Sequence, residues 1–513
     1  MAWLEGKLPR DPLLALTVIA LIPRIVAAFF SGGYFAHDDH FLIIEPAASW
    51  VDAPAYSAWL PWNQSGEPRP SGHSFFYVGL HYLLFLGLKA IHLVDPKVQM
   101  VVVRMLHALW SLVVVRAGYR IALRLSDERT AWHTGLFLAL FYFMPFLSVR
   151  NLVEVACIPF LMLGCLRLVR DPAGPGLRDV LLAGVWIGLA INVRFQTIFF
   201  AAGPGLAFLL QQRWKNALAY GFGVIIPIAV IQSAVDLFLW GVPFAEITEY
   251  VVYNMANTTT YFDQPWYNYL LLLLGIYIPF LSVAVFFGYF RRTTPLVLWL
   301  PVFLFLAIHS YFPNKQERFL LPIVPLFFII GYTSWEAFRS HSGWWQRHRG
   351  LWRGVMGFVL VVNSIVLVLL CVSYSKRSRV ESMALLRQEP DVRGVLLEDS
   401  YRQTAPLPPI YYSGHWNMSV EPWTDPTADL AARLAAYPDS TRPNIVLFVG
   451  EEDLADRARR VSAAMGPLRV IDRVEPGLLD RVIHWLNPVN RNETIIVARA
   501  GAAGVPDRSG EGK

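Results

Sequence analysis

Charge is what this sequence has least of. Only 16% of its 513 residues are Asp, Glu, Lys or Arg, whereas 55% belong to the apolar set; a soluble protein carries about 25% charged residues. So little polar surface cannot clothe a chain of this length in water, and the content of 18 Trp, 21 Tyr and 33 Phe excludes disorder and fibrous repeats. Cysteine is almost absent. Cys157, Cys165 and Cys371 lie inside apolar stretches without metal-type spacing, so they read as small hydrophobes and give no redox or metal signal. There is no internal repeat and no low-complexity tract. What is present is apolar length. Runs such as Leu270–Phe290 and Val355–Val372 approach or exceed the ~18–20 residues that span a hydrocarbon core. With a mean hydropathy of +0.42, the chain reads as an all-α polytopic membrane protein whose first partner is membrane lipid. The formal net charge of +6 is then read for its position between spans, and nucleic acid is not an expected partner.

Twelve apolar segments can be drawn: 13–31, 74–93, 98–115, 131–149, 151–168, 178–192, 195–210, 217–240, 267–290, 294–311, 318–338 and 351–374. Basic clusters occupy alternate connections: Lys7/Arg10, Arg116/Arg120/Arg124/Arg129, Arg167/Arg170/Arg178, Arg213/Lys215, Arg291/Arg292 and Arg339/Arg347/Arg349/Arg353. Placing these inside satisfies the positive-inside rule almost everywhere. A first outer loop at 32–73, turns near Arg150 and Arg194, a middle outer loop at 241–266 and a turn at 310–317 then face out. Parity requires one of the two helices within 74–115 to be re-entrant or interfacial. The C-terminus then lies outside.

After Tyr374, charges, Pro and Gly return. Segments 395–397, 410–413, 444–450, 468–471 and 494–498 read as short strands, with a helix near 453–465. The expected organisation is a transmembrane domain at 1–375, with about 11–13 transmembrane helices, and a small extracytoplasmic α/β domain at 376–513.

Ionisable residues near apolar spans are expensive unless paired, solvated or functional. Here they collect on the outer side: Asp38, Asp39, His40 and Glu45; Arg104; Arg150 and Glu154; Arg194; Asp236, Asn254, Asn257 and Asp263; His309, Lys315, Glu317 and Arg318. Acids, bases and aromatics at one interface suit a reaction between a membrane-held phosphate substrate and a second substrate at that surface. A carboxylate of the His37-Asp38-Asp39-His40 turn can take a proton from an acceptor hydroxyl, its neighbour orienting or binding. Lys315 and Arg318 supply the positive charge that a leaving phosphate needs, Arg as a bidentate fork. Trp59, Trp62, Tyr261, Trp266 and Tyr269 can line a sugar or lipid groove. Each also has a plainer reading. Lys315 and Arg318 can anchor lipid phosphates, Arg104, Arg150 and Arg194 can pair with carbonyls or Glu154, and His309 can be a satisfied core histidine.

Three motifs carry a resemblance. Phe35-Ala-His-Asp-Asp-His-Phe-Leu-Ile-Ile-Glu45-Pro46 resembles the first-loop signature of glycosyltransferase family 22, the polyprenyl- or dolichyl-phosphate-mannose-dependent mannosyltransferases of the GT-C superfamily. His309-Ser-Tyr-Phe-Pro-Asn314-Lys315-Gln316-Glu317-Arg318-Phe319, with Pro322 and Pro325, is similar to its second hallmark. Asp236-Leu-Phe-Leu-Trp-Gly241, Tyr253-Asn254, Tyr261 to Trp266 and Tyr269 resemble its middle loop. The resemblance covers roughly residues 13–340. Asn314 stands where the family usually has His, and Gln316 where it often has Glu, which leaves the exact donor and acceptor open.

The resemblance implies a GT-C fold, a lipid-phosphate sugar donor, no nucleotide-sugar site and inversion at the anomeric carbon in one displacement. By position, Asp38 is the expected catalytic base and Asp39 its acidic neighbour. Lys315 and Arg318, with Arg194 and Arg104, are expected at the donor phosphate, with Glu317 positioning them. His40, Glu45, Asp236, Asn254, Trp266 and His309 are expected in supporting or substrate-binding roles. The expected activity is transfer of a hexose, mannose first, from a polyprenyl-phosphate donor to a glycan or glycolipid acceptor on the extracytoplasmic or lumenal face. The alternatives are a sister transferase for aminoarabinose, glucose or galacturonic acid, and a lipid-linked-glycan flippase or exporter. No cofactor is required by the sequence; a divalent metal is left open, the acids lacking a compact ligand set.

Overall fold

The structure is a computed structural model that describes residues 8–53, 70, 72–171, 174–260, 263–402 and 405–501. Trp59, Trp62 and Tyr261 therefore lie outside the described residues. The chain divides into two compact units: Met1–Ser31, Pro61–Leu80 and Val101–Val372 form one, and Gly32–Leu60, His81–Met100 and Ser373–Lys513 the other. The division differs from a single boundary after residue 375, because the acidic first loop and the 81–100 hairpin belong with the C-terminal segment.

The first unit is helical. Among the described residues, five helices are long and apolar enough to cross a membrane: Pro12–Phe30, Pro96–Leu125, Trp214–Trp240, Glu317–His341 and Arg349–Cys371. Local chemistry sets their starts. Asp11 accepts from Leu14 N (2.9 Å) with Pro12 in the first turn, and Asp127 does the same for Thr130 N (2.9 Å) ahead of Glu128–Leu140. Pro96–Leu125 is one continuous helix of 30 residues, about 45 Å long. It carries Arg116, Arg120 and Arg124 on its last turns, where a connection was expected.

Other expected spans are broken. The 131–149 segment becomes Glu128–Leu140 and Phe143–Leu147, and 151–168 becomes Val153–Ala156 and Ile158–Leu168. The 267–290 segment becomes Asn268–Ile276 and Leu281–Phe290, with Ile278 and Phe280 at positive φ on either side of Pro279. Breaks expose backbone carbonyls that must be satisfied inside the protein. At the end of Glu128–Leu140 a buried arginine does so: Arg24 donates to Leu138 O (3.1 Å), Ala139 O (2.8 Å) and Ser111 Oγ (2.8 Å). Glycine allows the closest helix approaches. A Cβ on Gly184 would stand 2.4 Å from Tyr220 O, and one on Gly288 would stand 2.0 Å from Gly331 O. The three cysteines are buried and free.

The second unit contains a five-stranded mixed sheet of order β2-β1-β3-β5-β4. Its strands are β1 Gly394–Glu398, β2 Ser419–Trp423, β3 Ile445–Val449, β4 Leu468–Val474 and β5 Ile495–Ala500. β2, β1 and β3 run parallel, β5 runs antiparallel to β3, and β4 pairs antiparallel with β5. β1 and β3 are buried along their whole length and, apart from Glu398 at the end of β1, read as apolar runs, as strands covered on both faces do. Leu430 and Leu434 from Leu430–Ala435 and Val461 from Leu454–Met465 pack with Leu396, Phe448 and Trp423. The strand expected at 410–413 is instead a 3-10 turn, Ile410–Tyr412. Its side chains are buried and Tyr411 OH bonds Gln99 Oε1 (2.8 Å), so tertiary contacts override the strand propensity of Ile and Tyr.

Candidate active site

Two groups of predicted residues are organised separately, one in each unit. In the first unit the breaks at Arg150–Leu152 and at Arg194 place charged groups where a continuous helix would have buried apolar ones. Glu154 is fully buried. Its Oε1 lies 3.1 Å from Arg194 Nη2 and 3.7 Å from Arg318 Nε, so one carboxylate sits between two guanidiniums. Each arginine is further fixed by an amide: Arg194 Nη2 donates to Gln196 Oε1 (2.6 Å) and Arg318 Nε to Gln316 Oε1 (2.8 Å). Both guanidiniums lie near the Phe319 ring, at 5.1 and 5.7 Å. Among the described residues, one acid stands against two permanent cations at low exposure, an arrangement that suits an anion.

The turn that follows helix Leu296–Tyr311 adds to it. Lys315 is 4% exposed and donates to the carbonyls of Gln264 and Phe312, its ammonium 5.9 Å from the Tyr269 ring. Burial lowers the Lys315 pKa. Tyr269 OH donates to Gln316 O (3.0 Å), locking the turn. His309 Nδ1 bonds Phe305 O (2.8 Å) while its ring stacks on Phe305. Its Nε2 is buried without a hydrogen-bond partner among the described residues, as are Ser310 Oγ, Asn314 Oδ1 and Arg194 Nε. Buried polar atoms are ordinarily satisfied. Several such atoms lie along one pair of segments, and His309 has one ring nitrogen bonded and the other without a partner among the described residues. Electrostatically, Arg194 acts on His309, Tyr250 and Tyr269, which places all three in its neighbourhood.

Other predicted residues go elsewhere. Arg104 Nε donates to Ala28 O (2.7 Å), the carbonyl pairing of the plainer reading. Arg150 bonds Ser31 Oγ (2.6 Å) and lies over Phe146. Glu317 is exposed, and the groups that position Arg318 are Gln316 and Glu154. Asp236 is fully buried, held by Gln232 Nε2 (2.9 Å), the same amide that donates to Glu246 Oε2 (2.8 Å). Trp240 Nε1 and Phe75 N also donate to Glu246, so this acidic pair ties the middle loop. That loop is itself a helix, Ala245–Ala256. Asn254 bonds Tyr250 O (2.8 Å), and Trp266 is exposed against Tyr267.

In the second unit the acidic turn is built on Gly33, whose φ of +72° and bridge to Ser375 fix the chain entering it. The helical turn His37–Asp39 runs into a π-helical turn, His40–Ile44, and then helix Glu45–Asp52. The two acids are separated by environment. Asp39 is 2% exposed and its Oδ2 accepts from Ala36 N (3.0 Å), whereas Asp38 is only partly buried. His40 lies between the rings of Tyr34 (5.0 Å) and Tyr412 (5.4 Å), with Nε2 3.1 Å from Glu45 Oε1. Glu45 Oε1 also accepts from Tyr411 N (2.9 Å). His40 and Glu45 thus brace the acidic turn from behind, and Asp38 is the more accessible carboxylate. Among the described residues, no three His, Cys, Asp or Glu side chains gather as a metal-ligand set.

The sequence offered Glu154 as a structural partner of Arg194, which the structure shows, but not as a hub shared with Arg318, and it missed Gln196 and Tyr250. Pro159 after the Glu154 turn and the Asn-Val-Arg-Phe-Gln break at 192–196 were the available hints.

Discontinuous spans, a buried basic cluster and a sheet-containing unit define a polytopic membrane protein of GT-C architecture. Among solved structures it is similar to ArnT from Cupriavidus metallidurans bound to undecaprenyl phosphate, with a TM-score of 0.58 at 12% identity over 96% of this chain and 99% of that one. At such identity the likeness is one of fold. The Alg9-like mannosyltransferase family matches residues 15–397, and the chain belongs to it. It is 30% identical over 174 residues to GPI mannosyltransferase 3 of Saccharomyces cerevisiae, covering 31% of this chain and 28% of that protein. It is 25% identical over 192 residues to the alpha-1,2-mannosyltransferase ALG9 of Mus musculus, covering 33% and 31%. The matched stretches thus span less than a third of these relatives' length.

Proposed function

We propose that this protein transfers a hexose, mannose in the first place, from a polyprenyl-phosphate carrier to a hydroxyl of a glycan or glycolipid. The observation that carries the reading is the buried Arg194–Glu154–Arg318 cluster with its unsatisfied polar neighbours, in a chain of this family. The donor phosphate meets Arg194 and Arg318, with Lys315 beside them. As the bond between anomeric carbon and phosphate oxygen breaks, charge accumulates on the phosphate, and fixed guanidiniums stabilise it without reorganising. The acceptor oxygen forms the new bond from the opposite face, inverting the carbon, and its proton passes to a carboxylate base, the role that the family resemblance gives to Asp38. Asp39, used for capping, shapes the turn. The lipid carrier in the ArnT structure supports the donor class. Segregation of Lys and Arg into alternate connections supports an extracytoplasmic or lumenal site.

The test is incubation of the purified chain with radiolabelled mannosyl, glucosyl, aminoarabinosyl and galacturonosyl polyprenyl phosphates and a lipid-linked glycan acceptor. Consumption of the mannosyl donor is expected; consumption of none overturns the reading.

A further inference from the structure

The second unit contains a cavity of about 510 Å³ that the displacement chemistry does not use. This volume lies in the range of small-molecule sites, but its wall is mainly polar, unlike a groove for a hydrocarbon chain. Arg387, Arg393, His415 and Asn417 line it, with Trp416, and Asp52 faces it from the end of helix Glu45–Asp52. Asp52 is the acid among the lining residues, and Lys89 already pairs with it at 2.9 Å. Among the described residues the two guanidiniums are incompletely used. Arg387 Nη2 donates to Val94 O (3.3 Å), and Arg393 Nη1 to Asp439 O (3.0 Å) with Asp391 3.6 Å from its Nε. A guanidinium has five N–H donors, so both keep donors for a ligand, and the wall carries excess positive charge.

The cavity is connected to the acidic turn within the same unit. Tyr411 lines it, and Tyr411 N donates to Glu45 Oε1, the carboxylate paired with His40 directly after Asp38 and Asp39. Asp52 lies at the far end of the same eight-residue helix, about 10 Å from Glu45 along its axis.

We infer that this cavity is an acceptor subsite for an anionic sugar, phosphorylated or carboxylated, carried on the glycan that receives the hexose. The inference rests on the transferase reading for the role of the ligand. Guanidiniums supply charge-assisted bonds to the anion, while the amide and carboxylate side chains match sugar hydroxyls.

The experiment uses the full chain in lipid nanodiscs without donor, titrated calorimetrically with mannose 6-phosphate, glucuronic acid, mannose and inorganic phosphate. At least one charged sugar is expected to bind, with mannose and inorganic phosphate each about tenfold weaker or more. Its preference for phosphate or carboxylate identifies the anion. The Arg387→Gln/Arg393→Gln double variant is expected to lose about tenfold or more, and the corresponding Lys variant to retain part of the affinity. If the Gln variant does not fold, selectivity among the four probes in the native protein still decides. No binding, equal binding of mannose, equal binding of inorganic phosphate, or an unchanged folded Gln variant overturns the inference. Because no donor is present, loss of this site in a chain that still transfers sugar overturns the subsite alone, and failure of transfer leaves the binding result standing.

Discussion

Arg194 and Glu154 form an ion pair of 3.1 Å that is almost sealed from solvent, and the same carboxylate oxygen reaches toward Arg318 at 3.7 Å. A lone buried carboxylate is unstable, and so are two buried guanidiniums; among the described residues they compensate one another, two cations against one acid. Arg194→Gln is expected to lower kcat/KM for a polyprenyl-phosphate mannose about 10²–10³-fold, the range seen on removing one preorganised donor. Arg194→Lys should recover little, because an ammonium cannot span Gln196, Glu154 and a phosphate as a planar fork does. Glu154→Gln should reduce yield and thermal stability as well, since it strands two cations. A fully active Arg194→Gln would remove the cluster from the site.

Asp38 and Asp39 are neighbours with different work. Asp38→Asn is expected to cut transfer about 10²–10⁴-fold with little change in Tm. Asp39→Ala is expected to cost about 1 kcal/mol of stability, because its carboxylate holds Ala36 N at the head of the turn. Single-turnover transfer and thermal unfolding on the two variants separate these outcomes; full activity of Asp38→Asn moves the base elsewhere.

These assignments show where sequence was informative. Tandem acids, a Lys-x-x-Arg turn and apolar length are local patterns, so Asp38, Lys315, Arg318 and the membrane class were legible. Four of the five strands were legible for the same reason, each being a short apolar run between turn residues. Partnership was not. Pairing of Arg194 with Glu154 was open as a structural role, but nothing local links Glu154 to residue 318, and Glu317, adjacent to Arg318, was the nearer candidate but is exposed. Span continuity also misled. The residues around the break at Tyr277–Phe280 are apolar, and hydropathy passes over them although Pro279 marks the interruption. The run Ile410–Tyr412 looks like a strand because its residues favour one, yet Tyr411 is claimed by Gln99 and Glu45.

Gly33 offers a test of the acidic turn that touches no charge. Its φ is +72°, and a Cβ there would lie 1.8 Å from Ser375 O. Left-handed backbone costs an alanine about 1–2 kcal/mol before any clash is counted. Gly33→Ala is therefore expected to lower Tm and to slow transfer together, whereas Gly79→Ala, with open space around the new Cβ, should change neither. A Gly33→Ala protein with native Tm and activity would show that the turn does not depend on this geometry.

The Asp236–Glu246 pair makes stability depend on pH. Burial pushes the Glu246 carboxyl up to about 8 from an ordinary value of 4.5, with Asp236 reinforcing the shift. A carboxyl whose folded pKa exceeds its unfolded one is protonated in the native state while the unfolded chain is ionised, so stability falls as pH rises between those values. Tm is expected to decline from about pH 5 toward pH 8, and Glu246→Gln, which mimics the neutral acid, should flatten that decline. Glu246→Ala should instead lower Tm at every pH. It removes the acceptor of Trp240 Nε1 and Phe75 N and leaves Gln232 Nε2 with Asp236 alone, and each buried donor left unmatched costs about 1–3 kcal/mol. If Glu246→Gln kept the native slope, the pair would be ionised in the folded state and its proton would lie elsewhere.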